Sequence, residues 1–192
     1  MNLPNKLTLA RILLIPVFIL LVSMPAIPLN YLWAAVVFAL ASITDFLDGA
    51  IARKYKMVTD FGKFADPLAD KILTTAAFIY MMVAGVCHPL VLFIVLTREF
   101  AVSGVRMVAA GAPGGKVIAA NMWGKVKTVL QMLSIIFYYF CMGLAQCLGQ
   151  VPGEWLHANT VTNVLCWLVA LVTALSGVQY IWGNRHFINT AK

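Results

Sequence analysis

ILTTAAFIYMMVAGVCHPLVLFIVLT, residues 72–97, contains no Asp, Glu, Lys or Arg. It reads either as one long helix or as two helices joined by a turn. A membrane-crossing helix needs about 20 apolar residues, and the cluster Gly85-Val86-Cys87-His88-Pro89 is a turn signal in mid-run. Charge placement decides between the two. With a break there, the chain has six helices, and the connections near 25–29, 85–89 and 146–157 fall on one side without any Lys or Arg. All 14 basic residues then lie on the other side, in the groups Lys6 and Arg11, Arg53 to Lys71, Arg98 to Lys127, and Arg185 with Lys192. The positive-inside rule makes that side cytoplasmic. A single helix over 72–97 would scatter the basic groups across both faces. The expectation is an all-α polytopic membrane protein with six transmembrane helices and both termini cytoplasmic.

Outward from that stretch, the remaining runs fit the same plan. Residues 12–44 carry no charge, and Pro25, Pro28 and Asn30 divide them into spans at roughly 7–24 and 30–53. Runs at 128–153 and 155–184 give the fifth and sixth helices, separated near Gly149, Pro152 and Gly153. Composition agrees: 62% of the 192 residues are hydrophobic and 11% charged, and the mean hydropathy is +0.89. A soluble domain carries about a quarter charged residues. The solvent of this chain is therefore lipid, and without the alternation of a barrel its spans are helices. No linker or low-complexity tract divides it, so residues 1–192 read as one domain. Met1 to Arg11 precede an apolar run with no clear small-residue cleavage site, which reads as a retained first span. Cys87, Cys141, Cys147 and Cys166 share no CxxC or His-linked spacing and are expected to be apolar helix fillers. The net charge of +7 sits on short membrane-proximal segments with no recognition module. It suits topology and anionic headgroups, not nucleic acid.

Seven acidic residues exist, and five fall between positions 45 and 70. Asp45 and Asp48 are three apart and Asp66 and Asp70 are four apart, so each pair shares a helix face. The first pair belongs near the cytoplasmic end of the second helix and the second pair at the start of the third. A short basic turn between them makes these helices antiparallel neighbours, so that two pairs of carboxylates converge at the inner boundary. Carboxylates beside hydrocarbon are costly and repel one another. Arg53, Lys54, Lys63 and Lys71 could compensate, but hard divalent cations do so better. Oxygen-only ligands favour Mg²⁺ or Mn²⁺ over zinc. Plainer readings exist for single residues. Asp66 before Pro67 could cap the third helix, Asp60 reads as a solvated loop residue, and Gly62 as a turn residue. Gly49 and Ala52 flank the aspartate face, where small residues either admit a ligand or pack helices.

Asp45-Phe-Leu-Asp48-Gly49-Ala-Ile-Ala52-Arg53, followed by Gly62, Asp66 and Asp70, resembles the signature D-x2-D-G-x2-A-R-x8-G-x3-D-x3-D of the CDP-alcohol phosphotransferases. Every specified position is present at the right spacing, and the six-helix plan agrees with that family's fold. The resemblance implies transfer of a phosphatidyl or related group from a CDP-linked donor to an alcohol, with release of CMP. It further implies that Asp45, Asp48, Asp66 and Asp70 bind one or two divalent cations and that Asp70 is also the general base. Gly49, Ala52, Arg53 and Gly62 would line the CDP site, and a homodimer is implied as the assembly.

The acceptor is read from shorter stretches. Asn2-Leu-Pro-Asn5-Lys-Leu-Thr8-Leu-Ala-Arg11, Thr97-Arg98-Glu99 and Gly124-Lys125-Val-Lys127-Thr128 are similar to segments of bacterial phosphatidylglycerophosphate synthases. That implies CDP-diacylglycerol as donor, sn-glycerol 3-phosphate as acceptor, and a bacterial plasma membrane with the active site facing the cytoplasm. Arg98, Arg106, Lys125 and Lys127 are expected to gather the acceptor phosphate, or to serve topology alone. Asn5 and Thr8 are expected to reach the nucleotide, and Arg11 the nucleotide or the acceptor phosphate. The rivals are the same chemistry on inositol phosphate, serine or phosphatidylglycerol, an ion or proton carrier, and a non-catalytic binder of anionic lipid.

Overall fold

The computed structural model describes the backbone of residues 3–54, 60–111, 122–150 and 156–185. Within them, the side chains of 3–5, 46–54, 60–67, 110–111 and 156 lie outside the described set. The described chain is six α-helices: α1 Leu3–Ser23, α2 Asn30–Lys54, α3 Asp60–Val83, α4 Pro89–Gly111, α5 Met122–Cys147 and α6 Leu156–Gly183. No strand occurs among the described residues.

The break inside 72–97 is built as the sequence predicts. Gly85 adopts φ +76°, its N–H bonds to Met82 C=O at 2.9 Å, and Val86 N–H bonds to Met81 C=O at 3.0 Å. This is a Schellman cap, in which glycine takes the left-handed position that other residues resist. Helix α4 then opens on Pro89, whose missing N–H costs nothing at a first helical position. The ring of His88 caps it, with Nδ1 accepting from Leu90 N–H at 3.2 Å. Helix α5 ends in the same way at Gly149, where Gln150 N–H reaches Ala145 C=O at 2.9 Å.

Polar contacts gather at two ends of the bundle. At one end, Gln146 of α5 donates from Nε2 to Asn30 Oδ1 (2.6 Å), and Asn30 Nδ2 donates to Leu21 C=O (3.1 Å). There too Asn163 of α6 donates to Val86 C=O (2.8 Å). The other end holds the charged residues of α1 to α5. Among the described residues, α2 packs chiefly on α1 and α5, and α3 chiefly on α1, while α4 and α5 both pack on α6. Helices α2 and α3 also touch, and α1 packs on both.

The surface is far more apolar than that of a soluble protein. Leu13, Trp33, Phe93, Phe100, Leu133 and Leu171 are exposed, while Arg11, Asn30, Lys127, Gln131, Thr173 and Ser176 are buried. A wide apolar exterior around a core that is mostly apolar but holds buried charged and polar side chains is that of a membrane protein. Three helical windows are long and apolar enough to cross a membrane: Lys6–Ser23, Met122–Cys147 and His157–Gly183. The apolar part of α2 is shorter, Asn30–Asp45. Charged residues occupy the second half of α2, the first half of α3, and α4 from Arg98 onward.

Three sequence readings change. Helix α3 begins at Asp60, so Asp66, Pro67 and Gly62 lie inside a helix; Asp66 is not its cap, Gly62 is not in a turn and Asp60 is not in a loop. A close helix crossing is at Gly143, where a Cβ would stand 2.7 Å from Leu32 Cα. Gly143→Val should therefore push α5 from α2 and cost about 1–3 kcal/mol. A thermal melt in detergent checks this, and an unshifted midpoint would show that the crossing has slack.

Candidate functional site

Both aspartate pairs sit in unbroken helix, Asp45 and Asp48 in α2 and Asp66 and Asp70 in α3. The spacing that puts each pair on one face is thereby preserved. Of the four side chains, Asp45 and Asp70 are described. Each lies within electrostatic reach of the other, although 25 residues and a helix connection separate them. Arg11, buried in α1, donates from Nη1 to Asp45 Oδ1. Thus α1 supplies the counter-charge for α2. Arg11 is placed on the aspartate side of the site and is not among the residues bordering the cavity described next. Thr8, one turn earlier on α1, is buried. The side chains of Asn5, Asp48, Gly49, Ala52, Arg53, Gly62 and Asp66 lie outside the described residues.

Asp70 opens onto a cavity of about 390 Å³ between α3, α4 and α5. Lys71, Arg98, Glu99, Arg106, Lys127 and Gln131 also border it. Three of the predicted phosphate-binding residues, Arg98, Arg106 and Lys127, are brought together here with Asp70. Lys125 is exposed on the opposite side of its turn and does not line the cavity. Four cations against two carboxylates make this an anion's chamber.

Each cation is held by a specific partner. Lys127 is ion-paired to Glu99, and Arg98 Nη1 lies 3.2 Å from the same Glu99 oxygen. Arg98 Nη2 donates to Ser176 Oγ of α6 at 2.9 Å. That reach depends on Gly177, where a Cβ would come within 2.9 Å of Arg98 Cγ. Arg106 Nε donates to Tyr180 Oη at 3.2 Å, and its guanidinium lies 5.5 Å from the centre of that ring. Lys71 Nζ donates to Ser103 Oγ at 2.5 Å. Fixed in this way, the cations lose little side-chain freedom when an anion arrives.

Glu99, Gln131, Ser176 and Gly177 did not emerge as site residues from the sequence. Glu99 carried a usable signal, since it is the lone acid between Asp70 and Glu154 and follows the apolar first half of its helix. Nothing in the sequence marks the other three.

Among the described residues, no group of three or more His, Cys, Asp or Glu side chains gathers as a metal site. The donor chemistry still fits a hard divalent cation. Asp45 and Asp70 are mutually close, each has a second aspartate on its own helix face, and oxygen is the only donor type offered.

Residues 1–175 match the family of CDP-alcohol phosphatidyltransferases. The chain belongs to that family. It is accordingly a transferase of phospholipid biosynthesis. A Bacillus subtilis relative is 39% identical over 201 aligned positions, covering 99% of this chain and 98% of its own length. One from Rickettsia bellii is 37% identical over 93% of each chain. One from Haemophilus influenzae is 32% identical over 94% of this chain and 91% of its own. All three carry the name CDP-diacylglycerol–glycerol-3-phosphate 3-phosphatidyltransferase.

Glu99 tests the structural half of the site. Glu99→Leu leaves Lys127 buried without its partner and should cost about 3 kcal/mol. The double variant Glu99→Leu/Lys127→Met should recover most of that loss in a thermal melt. Equal destabilisation of single and double variants would show that the pair does not tie α4 to α5.

Proposed function

We propose that this chain transfers the phosphatidyl group of CDP-diacylglycerol to sn-glycerol 3-phosphate, giving phosphatidylglycerophosphate and CMP. The observation that carries this reading is the single chamber joining Asp70 to Lys127, Arg98 and Arg106. A carboxylate able to take a proton and three cations able to hold a phosphate face the same space. The names of the relatives, matched over nearly their full length, support the same substrates.

The acceptor's phosphate settles among the three cations, the arginines offering forked donors and Lys127 a point charge. Its primary hydroxyl turns toward Asp70, which accepts the proton as the oxygen attacks the phosphorus bearing the diacylglycerol. The anhydride bond to the cytidylate breaks and CMP leaves. Asp45, Asp48, Asp66 and Asp70 would hold one or two Mg²⁺ or Mn²⁺ ions, whose chemistry is to neutralise the pyrophosphate. Arg11 holds Asp45 in position from the neighbouring helix. Gly49, Ala52, Arg53 and Gly62 line the CDP site, with Asn5 and Thr8 beside them.

All six helices cross the plasma membrane of a bacterium, both termini and the charged end are cytoplasmic, and the whole chain acts as one domain. The absence of Lys and Arg from residues 72–97 and from the other short connections supports that orientation. A homodimer is the assembly the family resemblance implies.

Detergent-purified protein with CDP-diacylglycerol and Mg²⁺ or Mn²⁺ should release CMP with sn-glycerol 3-phosphate. It should not do so with serine, inositol phosphate or phosphatidylglycerol. Asp70→Asn should lower turnover by about 10²–10⁴-fold, and Arg106→Gln should raise KM for the acceptor more than for the donor. CMP release with a different alcohol would keep the chemistry and replace the acceptor. Metal or proton flux without CMP would replace the enzyme reading with a carrier.

A further inference from the structure

Gln131 is buried in α5, at 4% exposure, and borders the same chamber. It stands four residues beyond Lys127, on the same helix face and about 6 Å further along the axis. Its amide oxygen has no hydrogen-bond partner among the described residues. Burying an amide in that state is unfavourable unless something else completes it.

The other neutral polar side chains of the chamber are already engaged. Thr74 Oγ1 donates to Asp70 C=O at 2.9 Å, and Thr128 Oγ1 to Gly124 C=O at 3.0 Å. Ser103 accepts from Lys71 at 2.5 Å. Around them the cations are matched to a phosphate and Asp70 to a reacting hydroxyl. One uncharged hydrogen-bonding group is left, and it lies a helix turn past the phosphate cations.

We propose that Gln131 is a specificity-determining residue, whose carboxamide hydrogen-bonds the C2 hydroxyl of a glycerol phosphate acceptor. This rests on the proposed function, which assigns the other two polar parts of that acceptor to the cations and to Asp70. The C2 hydroxyl takes no part in the transfer, so the contact selects the acceptor and does not change the chemistry. A site built to pair a hydroxyl rejects an analogue without it, because its own polar group is then left unpaired.

The test compares sn-glycerol 3-phosphate with 3-hydroxypropyl phosphate, which keeps the phosphate and the primary hydroxyl but lacks the C2 hydroxyl. Wild-type protein should favour the glycerol compound by about tenfold or more in kcat/KM. Gln131→Met should shrink that preference to near unity through the glycerol compound, with little effect on the analogue. Its melting temperature should hold or rise, because the lost amide oxygen has no partner in the protein; a purely structural Gln131 would lower it. Equal use of both compounds by wild-type protein, or an undiminished preference in Gln131→Met, overturns the assignment alone. No CMP from either compound overturns the functional reading, and the Gln131 assignment falls with it.

Discussion

Glu99 sits ten residues into α4, about 15 Å along the axis from Pro89, and holds Lys127 of α5 and Arg98 of its own helix. Charges so deep in an apolar bundle survive only when paired and hydrogen-bonded. The arrangement of α3 to α6 follows from meeting that demand. Lys127 brings α5 to α4, and Arg98 passes over Gly177 to Ser176 and brings α6. Lys71 of α3 closes on Ser103 of α4. These contacts leave a surplus of positive charge around a cavity that Asp70 enters from the side.

The two ends of the bundle are held by different chemistry. The neutral end is stitched by Asn30, Gln146 and Asn163, and Tyr139 Oη donates across the middle to Ala77 C=O at 3.0 Å. Phe18, Phe38 and Tyr139 pack between these levels, with Phe18 and Tyr139 edge to face at 5.2 Å. Neutral pairs at this end need no counter-charge. The charged end instead surrounds its cavity with more cations than carboxylates.

Local patterns were legible in the sequence, and distant partnerships were not. The break at Gly85 to Pro89, the ends of α1 and α2, and the shared faces of the aspartate pairs follow from residue spacing alone, since caps and helical periodicity act within a few residues. The convergence of Arg98, Arg106 and Lys127 was legible as charge on one side of a membrane, because topology confines basic residues. Gln131, Ser176 and Gly177 were invisible, because their roles depend on which helix lies opposite. The start of α3 was misjudged because Asp66-Pro67 has the form of a helix start. The chain instead tolerates Pro67 in the interior, as α1 tolerates Pro16. That α1 packs on both α2 and α3, and with Arg11 brings the charge that Asp45 needs, was not legible, because it depends on which helix lies beside them.

The shortened apolar parts of α2, α3 and α4 have the same origin as the site. A transferase of phospholipid biosynthesis must bring aqueous chemistry against the bilayer. Placing carboxylates and cations on the halves of three helices that meet at one end of the bundle does this, at the cost of helices that look too polar to span on their own. The apolar exteriors of α1, α5 and α6 compensate, since these are the helices whose full length suits hydrocarbon. A charge moved outward from the chamber would meet lipid, and an apolar residue moved inward would leave Glu99 or Lys127 without its partner. The division of labour among the helices is therefore fixed by the two solvents the molecule must serve at once.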